Sequence, residues 1–203
     1  VAAPKSNPDR KEQIVSAAID RLYAVGFEGF RIGDVAKDVG INNATLIHHY
    51  PSKAALIRAV VERFTKRFEE VADATNTDGE PHQKLARHMQ SSVELMRTSP
   101  EMFVVLNEIL LKARRDTEIS NLVSVPLRAW WRHIVMLLMM PSTEGGAARK
   151  TAEEIAITCM AQLLGMGLLL NATDHADASF EPSCERTVSR AISAMTNLAE
   201  EAL

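Results

Sequence analysis

The sequence predicts an all-α chain, a small helical head followed by one larger helical domain. Three observations carry this. Apolar residues make up 46% of the 203 positions and recur three and four apart, the period of one helix face. Glycine and proline are scarce, nine and eight residues, and fall mostly between the periodic runs. Alanine, leucine and glutamate recur throughout, which favours helix over sheet, and no run reads as a strand. The length suits a head plus one domain of ordinary size.

Residues 1–9 are polar, hold two prolines and are expected to form a disordered arm. A helix is expected over 10–25, with Ile14, Ala18 and Leu22 on one face. Gly26 ends it by accepting a left-handed backbone, and Phe27 and Phe30 add bulk to a small core. Short helices are expected over 32–39 and 42–50, and a long one over 52–74. Pro51 stops the second short helix, and Ser52 caps the long one. The long helix carries Leu56, Val60, Phe64, Phe68 and Val71 on one stripe. The cluster Asn76-Thr77-Asp78-Gly79-Glu80-Pro81 is a turn. Further helices are expected over 81–98, 100–115, 118–140, 147–171 and 182–202, with Pro126 kinking or splitting the third of these. The expected division is an arm over 1–9, a head over 10–54 and a body over 55–203.

Residues 32–50 have the pattern of a helix-turn-helix. Such a unit needs a small residue where its helices touch, glycine where the chain reverses at positive φ, and apolar residues holding the second helix. Ala36, Gly40, Ile41 and Leu46 meet these needs in order, with Val35 and Val39 beside them and Asn42 as N-cap. The exposed face of the second helix then carries Asn43, Ala44, Ile47 and His48. Asparagine bonds an adenine edge bidentately and alanine touches a thymine methyl. Thr45, His49 and Tyr50 fall within reach of phosphate, as does Lys53 in the first turn of the following helix.

The run Arg10-Lys11-Glu12-Gln13-Ile14, Ala17-Ala18, Leu22-Tyr23-Ala24-Val25-Gly26-Phe27-Glu28-Gly29-Phe30, Ile32-Gly33-Asp34-Val35-Ala36, Gly40-Ile41, Thr45-Leu46, His49-Tyr50-Pro51-Ser52-Lys53 and Leu56 closely resembles the N-terminal signature of the TetR family of transcriptional regulators. The resemblance covers about residues 10–60, with element lengths and order intact. It implies a three-helix DNA-binding head, a long connecting fourth helix, and a C-terminal domain that dimerises and binds a small-molecule effector. Carried over by position, base-reading sites fall on Asn43, Ala44, Ile47 and His48, and phosphate contacts on Arg31, Thr45, His49 and Lys53. Three positions depart from the pattern. Ile47 stands where tyrosine is usual, Arg31 where a capping Thr or Ser is usual, and Tyr50 where Phe is usual. These changes bear on which operator is read.

The last two expected helices have the character of a dimer interface. Ile155, Cys159, Leu163, Met166 and Leu170 make one stripe, and Val188, Ile192, Met195 and Leu198 another. Two such helices from each subunit make a four-helix bundle. The middle helices are expected to line the effector pocket with Phe64, Phe68, Met89, Val93, Met96, Phe103, Leu106, Leu110, Trp130 and Ile134. That lining suits an apolar or amphipathic effector, with Glu94, Asn107, Glu108 and His133 available to orient it. Trp130 and Trp131 point about 100° apart, so at most one faces the pocket.

Charge follows the same division. Residues 1–68 hold eleven Lys or Arg against seven Asp or Glu, and residues 69–203 hold twelve against nineteen. A basic head on an acidic body suits a protein whose head alone meets a polyanion. Cys159 and Cys184 lack metal-ligand spacing and are expected as reduced thiols in the cytoplasm. Neither a signal peptide nor a membrane span is expected; the best span candidate, 155–170, is interrupted by Gln162, Gly165 and Gly167. No phosphate-cradling loop, zinc spacing or nucleophile elbow appears, so no enzyme, metal or cofactor is expected. Asp174, His175 and Asp177 read as a solvated loop. The alternative expectation is a helical small-molecule-binding protein without specific DNA recognition.

Overall fold

A computed structural model describes residues 7–75, 78–139, 146–172 and 180–202. The side chains of Leu170, Cys184 and Val188 lie outside the described residues, as do Asp174, His175 and Asp177. Among the described residues the elements are all helices: α1 Asn7–Gly29, α2 Ile32–Asp38, α3 Asn43–His49, α4 Lys53–Thr75, α5 Pro81–Thr98, α6 Pro100–Ala113, α7 Thr117–Met139, α8 Gly146–Ala172 and α9 Phe180–Ala202. One detail differs from expectation: the first helix starts at Asn7, inside the expected arm. Of the two alternatives at Pro126, splitting does not occur, and α7 runs through it as one helix.

The chain forms two compact units, Val1–Thr65 with Val104–Val123, and Lys66–Phe103 with Ser124–Leu203. The first unit has a core of Ile14, Ala18, Leu22, Val35, Leu46 and Leu56, all inaccessible to solvent. It takes in more than the 10–54 segment because α6 residues bond the end of α1. Gly26 breaks the helical backbone of α1 (φ 66°, ψ 176°), a region open essentially to glycine. The break frees the Phe27 N–H, which donates to Glu108 Oε2 at 3.0 Å. A Cβ on residue 26 would lie 3.3 Å from that oxygen, so the approach also needs glycine. Glu108 is therefore engaged in the head, and the expectation that it orients a ligand is corrected. Lys112 pairs with Glu28 at 3.2 Å.

Lys53 completes this junction. Its ammonium donates to the carbonyls of Phe27 at 2.9 Å and Phe30 at 3.2 Å. It also lies 4.3 Å from the centre of the Phe27 ring, a cation–π distance. Burial pushes its pKa down. Two of its three N–H donors are thus committed within the chain.

In the second unit α5, α8 and α9 pack against one another. Ile155, Cys159 and Leu163 are buried in a single chain, at 2% exposure or less. The expectation that they form a subunit interface is corrected: their stripe faces the unit's own core. Met166, Ile192 and Met195 are half-buried. The free apolar face of α8 is the opposite one, Ile157 (57% exposed) and Leu168 (46%), with exposed Ala161 and Gly165 between them. Helix α8 is apolar on both faces, so 146–169 has the length and hydropathy of a membrane span, contrary to the sequence expectation; one face of it is core. Burial pushes the Cys159 thiol up to about 12, which leaves it unreactive.

Of the expected pocket residues, Phe64, Leu106 and Leu110 fall in the first unit and Phe68, Met89, Val93, Met96, Phe103, Trp130 and Ile134 in the second. Val93, Leu110 and Phe68 are half-buried and the rest are buried. Phe68 stacks on Trp130 at 5.3 Å and meets Phe103 edge-on at 5.9 Å. Trp131 points elsewhere, its indole N–H donating to the Glu153 carbonyl on α8 at 3.4 Å. Beside Trp130 lie two histidines, His88 at 2% exposure and His133, with ring centroids 5.1 Å apart. Burial holds both below the usual imidazole range, His88 at about 3.

Two predictions follow from these cores. Replacing Lys53 with Met leaves two carbonyls without their charged donor and costs about 1 kcal/mol, read as a lower midpoint in urea. Folded His88 binds a proton only near pH 3, whereas the unfolded ring binds one near 6.5. The folded state therefore holds fewer protons, and stability present above pH 6.5 is lost as pH falls through the window down to 3. Between pH 6.5 and 5 the chain should lose about 2 kcal/mol more than a His88→Phe variant, measured by urea unfolding at each pH. A pH slope unchanged by the substitution contradicts the buried neutral ring.

Candidate DNA-binding face

The turn between α2 and α3 is built by hydrogen bonds that only one backbone arrangement allows. Gly40 (φ 68°) is the left-handed residue. Its N–H donates to the Lys37 carbonyl at 3.0 Å, and the Ile41 N–H donates to the Ala36 carbonyl at 2.9 Å. This pair of bonds is the Schellman closure of a helix, and it turns the chain sharply into α3. Asn42 then caps α3, its side-chain oxygen accepting from the Thr45 N–H at 2.7 Å. Arg31 opens α2 without a side-chain cap, as expected for an arginine there. Ser52 Oγ accepts from the Ala55 N–H at 3.0 Å, the cap expected for α4.

Packing orients α3. Leu46 is fully buried and anchors it, while Val35 and Ala36 of α2 are buried beneath. The opposite side is open: Asn43, Ala44, Ile47 and His48 are all exposed, Ile47 by 46%. Thr45 and His49 are half-buried at its edges, and Arg31 is exposed at the start of α2. One helix face thus brings together the four residues expected to read bases. Lys53 is different, because its ammonium is held by the Phe27 and Phe30 carbonyls.

The charge around this face has a source that the sequence reading missed. The His49 pKa is lowered, first by burial, then by His48, Lys11 and Arg10. The two cations belong to the first turns of α1, so the start of α1 sends positive charge toward the end of α3. The signal in the sequence was the adjacent pair Arg10-Lys11 just before the apolar stripe of α1. On the other side, Arg21 grips the Asp38 carboxylate through two nitrogens, Nε at 2.9 Å, and ties α1 to the end of α2. Lys37 pairs with Asp34 at 2.9 Å. His48 and His49 meet edge-on with centroids 5.7 Å apart, and among the described residues no cluster of three or more metal-ligating side chains occurs.

Known proteins share this arrangement. Residues 14–60 match the family described as bacterial regulatory proteins, tetR family. The HTH-type transcriptional regulator RutR of Escherichia coli (strain K12) is 28% identical over 92 residues, 45% of this chain and 43% of that protein. CymR of Pseudomonas putida, also an HTH-type transcriptional regulator, is 25% identical over 104 residues, 51% of each. The chain spans about half the length of these relatives, or less. Among solved structures, Salmonella enterica GusR superposes with a TM-score of 0.76 at 18% identity, over 97% of this chain and 98% of its own. A transcriptional regulator from Rhodococcus sp. Rha1 gives 0.75 at 17%, over 94% and 96%. At such identities the superpositions establish the fold alone, and over residues 14–60 the chain is similar to the bacterial regulatory proteins of the tetR family.

Proposed function

We propose that the chain is a ligand-responsive transcriptional repressor that binds operator DNA as a homodimer in the cytoplasm and releases it when a small apolar or amphipathic effector binds. The observation that carries this is the open face of α3, with Asn43, Ala44, Ile47 and His48 exposed opposite a fully buried Leu46. A recognition helix presents this combination to a major groove. Asn43 reads adenine, Ala44 and Ile47 pack on thymine methyls, and His48 bonds a base edge. Arg31, Thr45 and His49 contact phosphate, joined by Arg10 and Lys11. Lys53 serves the head mainly by fixing the end of α1 against the start of α4.

Two-fold DNA reading requires two heads. The dimer face proposed is Ile157, Ala161, Gly165 and Leu168 on α8, with exposed Leu198 on α9. The spacing of the α8 residues puts them on one side of the helix. Among the described residues nothing beyond the chain neighbours and the helix's own backbone lies within 4 Å of a Cβ built on Gly165, so this small residue is open for a second copy of the helix. In the dimer the recognition helices sit about one DNA turn apart, roughly 34–36 Å. The effector binds among the helices of the second unit. Helices α4 and α6 have residues in both units and carry its effect to the head. The effector shifts the equilibrium only by its differential affinity for the DNA-competent and released states.

Fluorescence anisotropy with duplex DNA from beside the coding sequence tests the reading. The chain should bind tightly against competitor DNA, with affinity falling as salt rises. Asn43→Ala should cost about 1–3 kcal/mol per half-site. Leu168→Glu should give monomers in sedimentation and weaken operator binding. Weak binding equal for any duplex and unchanged by Asn43→Ala would support a helical small-molecule-binding protein instead.

A further inference from the structure

The interior of the second unit holds polar atoms that DNA binding does not use. The Trp130 indole N–H donates to His88 Nε2 at 3.0 Å. An indole nitrogen only donates, so His88 Nε2 presents a lone pair and the neutral ring carries its proton on Nδ1. That Nδ1 is buried without a hydrogen-bond partner among the described residues, and so is Nε2 of the adjacent His133. Stacking on Phe68 holds the Trp130 indole in place and so fixes the His88 tautomer. Native interiors seldom leave a buried donor unmet, which marks this one as waiting for an acceptor. His88 was legible in the sequence only as an interruption, together with Ser92, in the apolar stripe of α5.

We propose that the His88–His133 pair is the polar end of the effector site, and that the effector is an uncharged, mainly apolar molecule whose carbonyl-type oxygen accepts the His88 Nδ1–H. The inference rests on the reading of the chain as a ligand-responsive regulator. Three features select this chemistry. The groups whose charge acts on the pair are the His133 ring on His88 and the Asp73 carboxylate on His133. An anion would meet the Asp73 field without a counter-charge, and a cation would meet an N–H instead of an acceptor. A metal ion would need the Nδ1 lone pair that the Trp130 bond keeps protonated. Trp130, bonded to His88, stacks on Phe68, which meets Phe103 edge-on, and this run of rings suits an apolar body.

Calorimetry and tryptophan fluorescence on the full chain, with acetophenone, ethylbenzene, benzoate and zinc chloride, test this. Acetophenone and ethylbenzene share a ring and a two-carbon arm and differ in the oxygen. Acetophenone should bind at least about tenfold tighter than ethylbenzene, as expected for one hydrogen bond that satisfies a buried donor. Benzoate should bind more weakly than acetophenone. His88→Phe should reduce the ketone preference to about onefold and leave ethylbenzene binding in place. Trp130→Phe, which releases the tautomer, should lower the preference by a smaller factor. In the unsubstituted chain, the nitrogen-15 resonance of His88 Nδ1 should shift with acetophenone, a readout that needs no variant. Equal affinities, absence of ketone binding at millimolar concentration, or a preference that survives His88→Phe overturns the proposal. Zinc binding that needs both histidines overturns it in favour of a metal site. Operator anisotropy on the same samples separates the two readings. Ketone binding through His88 with operator affinity unchanged keeps the site and refutes its role as effector site. Specific operator binding without ketone binding refutes the site and keeps the regulator.

Discussion

Where α1 loses its helical backbone at Gly26, the amide of Phe27 and the carbonyls of Phe27 and Phe30 must find partners at the edge of an apolar core. Glu108 takes the amide and Lys53 takes both carbonyls. This junction helps to present α3, the recognition helix of the function proposed above. Lys53 begins α4, and α3 ends four residues earlier, at His49. The start of α3 is fixed by the Gly40 turn and the Asn42 cap. Pinned at both ends and anchored by Leu46 in the middle, α3 has little freedom to roll. An orientation held this way is preorganised for a groove, so binding loses less entropy on docking. Glu108 and Lys112 bring the end of α6 to the same junction, inside the same compact unit as the head.

The second unit is built around one helix with two apolar faces. The Ile155–Cys159–Leu163 side of α8 closes the core, where Ala152 and Ala156 are also fully buried. The Ile157–Leu168 side stays open in the single chain. A helix with two apolar faces needs cover on both sides, and in the dimer proposed above a second copy of α8 would cover the open one. Among the described residues the buried polar side chains of this unit are His88 and Ser92, with the half-buried His133 ring against His88. Burial keeps these rings neutral, so they act as hydrogen-bonding groups and not as charges.

Much of this was legible in the sequence. Helix order and limits follow from apolar periodicity and from proline and glycine, because each signal is local. Gly40, Asn42 and Ser52 were readable for the same reason: a turn or cap needs a particular residue within four positions. Contacts between residues far apart in sequence were not readable. Nothing local says that Glu108 meets Phe27, 81 residues away, or that Trp130 meets His88. The α8 stripe failed for another reason. Both faces of that helix are apolar, so periodicity could not tell core from free surface, and the larger residues chosen were the buried ones. Lys53 sat where phosphate is expected by position, and only the tertiary structure shows its ammonium bound to carbonyls.

Selection of binding sites from random duplex DNA tests the central claim most directly. If α3 reads bases in a two-fold dimer, the recovered sequences share an inverted repeat, with half-sites about one helical turn apart or a multiple of it. The Asn43→Ala variant should then lose preference at one base pair in each half-site while keeping the spacing. Recovery of duplexes with no common sequence, held only by salt-sensitive attraction to phosphate, would contradict the account.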